Sequence, residues 1–289
     1  MKRTLAVVMT VYNEEIEHLQ LALESTVDAL ANIESSNVFV YVDNKNENLD
    51  SELLSYLSFI DKFESKVNVY FSDMNIGLAK SLNYVINNFC KDFKLIARMD
   101  ADDVCDIRRF DIQLNEIENT NVDILGSNAV KIDESNHVIG HIINKESPRF
   151  LYGNEMVHPS LIFKKEVFDE LSGYRNYLAA QDYDFLCRAK SLNFVIVNLK
   201  EELINYRIRN GAIGQRRKKV QVMYKVGISK SFRNRTILTE ELALNSSDYR
   251  IYDFIESRLK FNRLIYRFAT VFSILHLKNY FLNFSKRYS

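Results

Sequence analysis

A chain of 289 residues, 47% of them hydrophobic by count, can bury a substantial core, and it carries no internal repeat or low-complexity linker. Cys90, Cys105 and Cys187 are odd in number, widely spaced and without metal-ligand spacing, which argues against a disulfide framework and for reduced thiols in a cytosolic compartment. The 38 basic and 38 acidic residues cancel, but unevenly: residues 1–214 hold 22 Lys and Arg against 33 Asp and Glu, and residues 215–289 hold 16 against 5.

No secretory signal is expected ahead of the first element, because Lys2 and Arg3 lead straight into Thr4 and an apolar run too short for one. That run, Leu5 to Val11, is continuous rather than alternating, the pattern of a strand covered on both faces, and it ends in Tyr12-Asn13-Glu14. Ile16, Leu19, Leu23, Val27 and Leu30 then share one helical face. A second apolar run, Val38 to Val42, stops at Asp43, and a third, Val67 to Phe71, stops before Asp73 and Asn75. Leu78, Leu82, Val85, Ile86 and Phe89 again recur at helical spacing. Strands and helices alternate from residue 4 to about 100, which predicts an α/β fold with a mainly parallel sheet and helices on both faces. In such sheets ligands bind beyond the carboxyl ends of the strands, where Asp43, Asn75, Asp100 and Asp102 all fall.

The run Leu95-Ile96-Ala97-Arg98-Met99 breaks abruptly into Asp100, Asp102 and Asp103. Strand alternation would turn Asp100 and Asp102 to one side, where hard oxygen ligands can collect a divalent cation and, through it, a diphosphate. A solvated acidic loop is the competing reading of a bare Asp-x-Asp. The carboxyl-end context favours the metal.

Beyond residue 214 the composition turns basic: residues 215–235 hold eight Lys and Arg and no acid, and nothing after Glu256 is acidic. Phe261, Leu264, Phe268, Phe272 and Phe281 interleave with Arg267, His276 and Lys278, so the tail lacks the roughly 20 apolar residues of a spanning helix. Two readings stand side by side, a basic amphipathic helix on an anionic membrane surface and a helix packed on the preceding domain. A nucleic-acid groove is disfavoured, since no recognition motif accompanies the charge. The expected division is a catalytic domain over 1–214 and a basic, mainly helical segment over 215–289.

Several pieces together carry a family resemblance: Val8-Met9-Thr10-Val11-Tyr12-Asn13-Glu14, Asn75-Ile76-Gly77-Leu78-Ala79, Arg98-Met99-Asp100-Ala101-Asp102-Asp103, Val157-His158-Pro159-Ser160, Gly173-Tyr174-Arg175, Gln181-Asp182-Tyr183-Asp184-Phe185 and Tyr206-Arg207. In order and spacing from residue 4 to about 210, the chain resembles the inverting family-2 glycosyltransferases of the GT-A fold, in their bacterial branch. The resemblance implies a UDP-sugar donor, Mg or Mn as cofactor, and a hydroxyl of a growing surface glycan, lipid-linked or free, as acceptor. It implies a cytoplasmic enzyme, peripheral on the inner leaflet if the tail binds lipid, with no nucleic-acid partner.

The resemblance also distributes roles. Thr10 and Tyr12 line the base pocket, with the Tyr12 ring offering a stacking face, and Asp43 accepts from the uracil imide; a core aromatic and a plain strand-end turn residue are the competing readings of Tyr12 and Asp43. The family's Asp-Gly-Ser is replaced after Asp43 by Asn44-Lys45-Asn46. Asp102 ligates the metal, Asp100 holds the ribose or a metal-bound water, and His158 lies near the donor as a candidate ligand. Asn75, Gly77 and Arg98 shape the sugar-diphosphate cradle, with Gly77 as a simple turn glycine the alternative. Arg207 and Arg209 reach the diphosphate from the opposite lip or form structural ion pairs. Asp182 is the catalytic base, preceded by Gln181 where the family usually has Glu, and Asp184 reads more readily as an acidic helix start. A sugar-nucleotidyltransferase is the rival enzyme, but Thr10-Val11-Tyr12-Asn13-Glu14 lacks its Gly-rich, Arg-containing loop. A catalytically inactive nucleotide-sugar-binding protein is the rival outside enzymes.

Overall fold

The computed structural model describes residues 3–44, 49–209 and 218–234. Four strands form its first half: β1 (Arg3–Val11), β2 (Ser36–Val42), β3 (Val67–Phe71) and β4 (Phe93–Asp100). They pair in parallel in the order β3-β2-β1-β4, linked by α1 (Ile16–Ala29), α2 (Ser51–Phe63) and α3 (Leu78–Phe89). The strand alternation sorts side chains into two cores. Leu5, Val7, Met9 and Val11 face a cluster with Leu19, Leu23 and Leu57, while Ala6 and Val8 face another with Leu82, Val85, Ile86 and Phe163. Both faces are covered, which is why these strands read as unbroken apolar runs.

Beyond β4 the sheet becomes mixed. The short β5 (Val104–Cys105) and α4 (Arg109–Asn119) lead to β6 (Ile124–Ile132), β7 (Val138–Ile142), β8 (Ile162–Lys164), α5 (Lys165–Glu170), α6 (Gln181–Ser191) and β9 (Ile196–Arg207). β8 is antiparallel to both β4 and β6, β6 is parallel to β9, and β5 and β7 are antiparallel edge additions to β9 and β6. The parallel expectation thus describes the first four strands, and the remainder curls back in mixed orientation.

Helix α7 (Lys218–Asn234) lies within the basic region and packs on the preceding domain. Tyr224 and Ile228 are buried in the cluster that contains Phe185 and Leu186 of α6, and Ser229 Oγ donates to the Leu151 carbonyl at 2.5 Å. The amphipathic stretch from Phe261 onward lies outside the described residues.

All three cysteines are free and buried. Burial pushes the Cys90 thiol up to about 12 and raises Cys105 and Cys187 as well. The thiolate is the reactive form, so native protein should resist a thiol reagent at pH 8, with all three thiols titrating only after denaturation. Rapid labelling of the native chain would contradict this packing.

Candidate active site

The strand period decides which polar groups meet. In β4 Leu95, Ala97 and Met99 face one core and Ile96 the other, so Arg98 and Asp100 project to the side of Ile96, Ala6 and Val8. Thr10 is the register partner of Asp100 across the β1–β4 pair and shares that side. Arg98 is 2% exposed; it donates to the Val8 carbonyl at 3.1 Å, to Thr10 Oγ1 at 3.5 Å, and to Asp100 in a close ion pair. It braces Asp100 from beneath rather than opening into the cleft. Arg109, fully buried, holds the Arg98 carbonyl at 2.9 Å and Gln113 Oε1 at 3.0 Å, a second cation locking the end of the strand.

β4 ends at Asp100, and the turn that follows brings a third carboxylate into the group. Ligand oxygens of Asp100, Asp102 and Asp103 all lie within 4.8 Å of one another. Asp103 is 1% exposed; its Oδ1 accepts from the Arg207 backbone N–H at 2.8 Å, while its Oδ2 is buried without a hydrogen-bond partner. Burial, then the neighbouring Asp100 and Asp102, hold the Asp103 carboxyl well above the usual range. Asp102 is also raised, by burial and then Asp100, against the pull of Arg209. An all-oxygen group of three carboxylates that retains an orphaned oxygen fits a divalent metal ion. Burial, and then Asp100, Asp103 and Asp102, raise the phenol of Tyr206 as well.

Two expectations change here. Arg207, expected at the diphosphate, is committed to the fold. It is 4% exposed, with Nε donating to the Asp102 carbonyl at 2.6 Å, Nη1 to the Asp133 carbonyl at 2.9 Å and Nη2 to Asn136 Oδ1 at 2.7 Å. It clamps the aspartate turn. Arg209 occupies the cleft instead, 2.6 Å from Asp102 Oδ2 and 3.7 Å from Glu14 Oε1. His158, expected among the ligands, is not part of the three-aspartate group; its Nε2 lies 3.3 Å from the Tyr174 hydroxyl. Burial and then Arg98 depress its pKa, with Asp182 and Asp100 acting the other way, so it sits neutral between the two acidic centres.

On the base side, Tyr12 is 38% exposed just past β1, its N–H donating to Glu14 Oε2 at 2.5 Å. Asp43 is buried and already accepts two backbone N–H groups, Ile76 to Oδ1 at 2.7 Å and Gly77 to Oδ2 at 2.8 Å. Its carboxylate organises the start of α3, where negative charge is favoured. Gly77 caps that helix at φ +86°, and nothing lies within 4 Å of where a Cβ would stand, so the glycine serves the turn rather than a close approach of protein atoms. Asn75 is exposed in the same loop.

Across the cleft, Asp182 stands in the first turn of α6, half-buried, with Oδ2 accepting from Asn154 Nδ2 at 2.6 Å. The Met156 N–H donates to Asn154 Oδ1 at 2.9 Å, which fixes the amide's orientation. Asp184, two residues on, is 3% exposed and ion-paired to Arg188 at 2.7 Å and Arg175 at 3.2 Å, a structural anchor. The signals for Asn154 and Arg209 were weak in sequence, one a lone Asn in a loop and the other one of two nearby arginines.

Asn154→Ala should lower transfer about tenfold with donor affinity unchanged. A raised donor KM at unchanged kcat would place Asn154 at the donor instead.

A twisted sheet with three aspartates at a parallel strand end and a fourth carboxylate on the facing helix define a glycosyltransferase of the GT-A fold. The family model described as Glycosyl transferase family 2 matches residues 6–172, more than half of the chain, and the chain belongs to that family. Among curated relatives it is 27% identical over 216 residues to an uncharacterized glycosyltransferase of Methanocaldococcus jannaschii, covering 72% of each chain. It is 32% identical over 169 residues to the O-antigen biosynthesis glycosyltransferase WbnJ of Escherichia coli, covering 55% of this chain and 64% of the relative. The amylovoran biosynthesis glycosyltransferase AmsE of Erwinia amylovora is 25% identical over 225 residues, 73% of this chain and 79% of its own. Crystal structures of S. aureus TarS share the fold: the complex with UDP-GlcNAc superposes with a TM-score of 0.63 over 90% of this chain and 74% of that one, at 15% identity.

Proposed function

We propose that this protein transfers a sugar from a UDP-sugar to a hydroxyl of a growing surface glycan, with a divalent metal and with inversion at the anomeric carbon. One observation carries the reading: Asp182, oriented by Asn154, opens α6, whose Tyr183, Phe185 and Leu186 pack into the core on the side of the sheet on which Asp100 ends β4. Donor diphosphate on one side and proton acceptor on the other is the arrangement that direct displacement needs, and one base suffices for inversion.

Asp102 would hold the metal, with Asp100 and Asp103 supplying further oxygens. When bound, the ion neutralises the diphosphate and the charge that develops on the leaving nucleotide. Tyr12 stacks the base. One Asp43 oxygen accepts from the uracil imide N–H through its remaining lone pair, while the bonds from Ile76 and Gly77 hold the turn. Asp182 takes the proton of the acceptor hydroxyl as it attacks. The E. coli and Erwinia relatives, named for O-antigen and amylovoran biosynthesis, support a surface polysaccharide as product, and TarS crystallised with UDP and with UDP-GlcNAc supports a UDP-linked donor. Among the described residues no helix is long and apolar enough to cross a membrane. A cytoplasmic enzyme held at the inner leaflet by its basic tail is consistent with a lipid-linked acceptor.

A thermal-shift screen of UDP-sugars with and without Mn2+ tests the donor and the metal together, because a ligand bound only by the native state raises its apparent stability. A metal-dependent rise with one UDP-sugar is expected, and NMR of the product should show the anomeric configuration opposite to that of the donor. Retention would overturn the single-displacement mechanism.

A further inference from the structure

The acidic cleft contains a cation of its own. Arg209 Nη2 lies 2.6 Å from Asp102 Oδ2 and 3.7 Å from Glu14 Oε1, in a region where the side chains of Asp102, Glu14 and Arg209 are 18%, 16% and 24% exposed. The Asp102 oxygen so engaged belongs to the three-aspartate group whose ligand atoms lie within 4.8 Å. A guanidinium and a divalent cation cannot share one carboxylate without repelling each other, and partial burial strengthens that repulsion relative to bulk water.

We infer that Arg209 is a built-in counter-ion that couples metal binding to nucleotide binding: it neutralises Asp102 when the cleft is empty and moves to the donor diphosphate when metal and nucleotide enter together. The inference rests on the metal reading of Asp102. Two features support it. Among the described residues Arg209 is the less tethered partner, since it makes no clamp of backbone carbonyls like that of Arg207, two residues earlier on the same segment. Its alternative anion, Glu14, lies in the loop that also positions Tyr12, so displacement of Arg209 is felt at the base platform.

The chemical consequence is cooperativity. Metal alone must draw Arg209 off Asp102 with only the Glu14 carboxylate, 3.7 Å away, to receive it, whereas a diphosphate carries more negative charge and can accept a guanidinium bidentately. Metal and nucleotide should therefore each tighten the other's binding by one common factor, as linkage requires. In the empty cleft the same ion pair reduces repulsion among Asp100, Asp102 and Asp103, so an unliganded fold does not need the metal to remain intact.

The test is calorimetric and requires no turnover. Mn2+ is titrated into the full chain alone and with saturating UDP, and UDP is titrated with and without Mn2+. In wild type, Mn2+ alone should bind weakly and UDP should tighten it by about tenfold or more, the scale of one charged hydrogen bond. In Arg209→Gln, Mn2+ alone should bind about tenfold more tightly than in wild type, and the coupling factor should shrink towards one. Wild-type Mn2+ affinity that is insensitive to UDP, or an Arg209→Gln variant with Mn2+ affinity and coupling unchanged, would overturn the inference. Asp102→Asn separates the two layers: if it abolishes Mn2+ binding while Arg209→Gln changes nothing, only the counter-ion role fails. If Asp102→Asn leaves Mn2+ binding intact, the metal reading of Asp102 fails and the counter-ion role with it.

Discussion

Asp182→Asn should reduce transfer by a factor on the order of 10² or more while leaving UDP-sugar affinity and melting temperature close to wild type. The substitution keeps the shape of a side chain that is only half-buried and has one recorded hydrogen bond, from Asn154. What it removes is proton affinity. Asp184→Asn provides the contrast, because Asp184 is 3% exposed and neutralises Arg188 and Arg175. Removing its charge leaves Arg188 largely buried and uncompensated and should cost about 3 kcal/mol of stability. Activity of the folded fraction should survive. Initial-rate assays beside melting curves distinguish the two carboxylates. Transfer by Asp182→Asn within a few-fold of wild type would move the base elsewhere.

Asp102→Ala should abolish metal-dependent UDP binding, by about a hundredfold or more, since loss of even an outer-sphere partner of a metal ligand costs 10- to 100-fold. The fold should persist. The Asp102 side chain pairs with Arg209, and the turn around it is held by its backbone carbonyl, which accepts from Arg207, and by Asp103. Titration of UDP with and without Mn2+ measures the effect directly. Unchanged affinity with Mn2+ present would take the ligand away from Asp102.

The sequence by itself determined the first half of the fold. β1 and α3 fall at Arg3–Val11 and Leu78–Phe89, where the apolar run and the helical spacing place them, because a strand covered on both faces and a helix with one buried stripe imprint their patterns directly on the chain. The strand-end location of Thr10, Tyr12, Asp43 and Asp100 follows from the same logic. Asp184 was legible as an acidic helix start, and Gly77, expected at the sugar-diphosphate cradle with a turn glycine as the alternative, has the positive φ of a turn.

The tertiary structure alone decided the rest. The mixed second half of the sheet depends on pairings such as β6 with β9, between segments about 70 residues apart, and on strands as short as β8 (Ile162–Lys164), which leave too few residues for a period to register. The division of labour between Arg207 and Arg209 is invisible locally. Two like residues at alternate positions differ only in what they meet, Asp103 and the Asp133–Asn136 turn for one, Asp102 and Glu14 for the other. Asn154 likewise gains meaning only when α6 delivers Asp182 to it from 28 residues away. Periodicity is written along the chain by the covering of faces, but the partner of a charge or an amide is set by which distant segments the packed cores bring together. No short window of sequence encodes that.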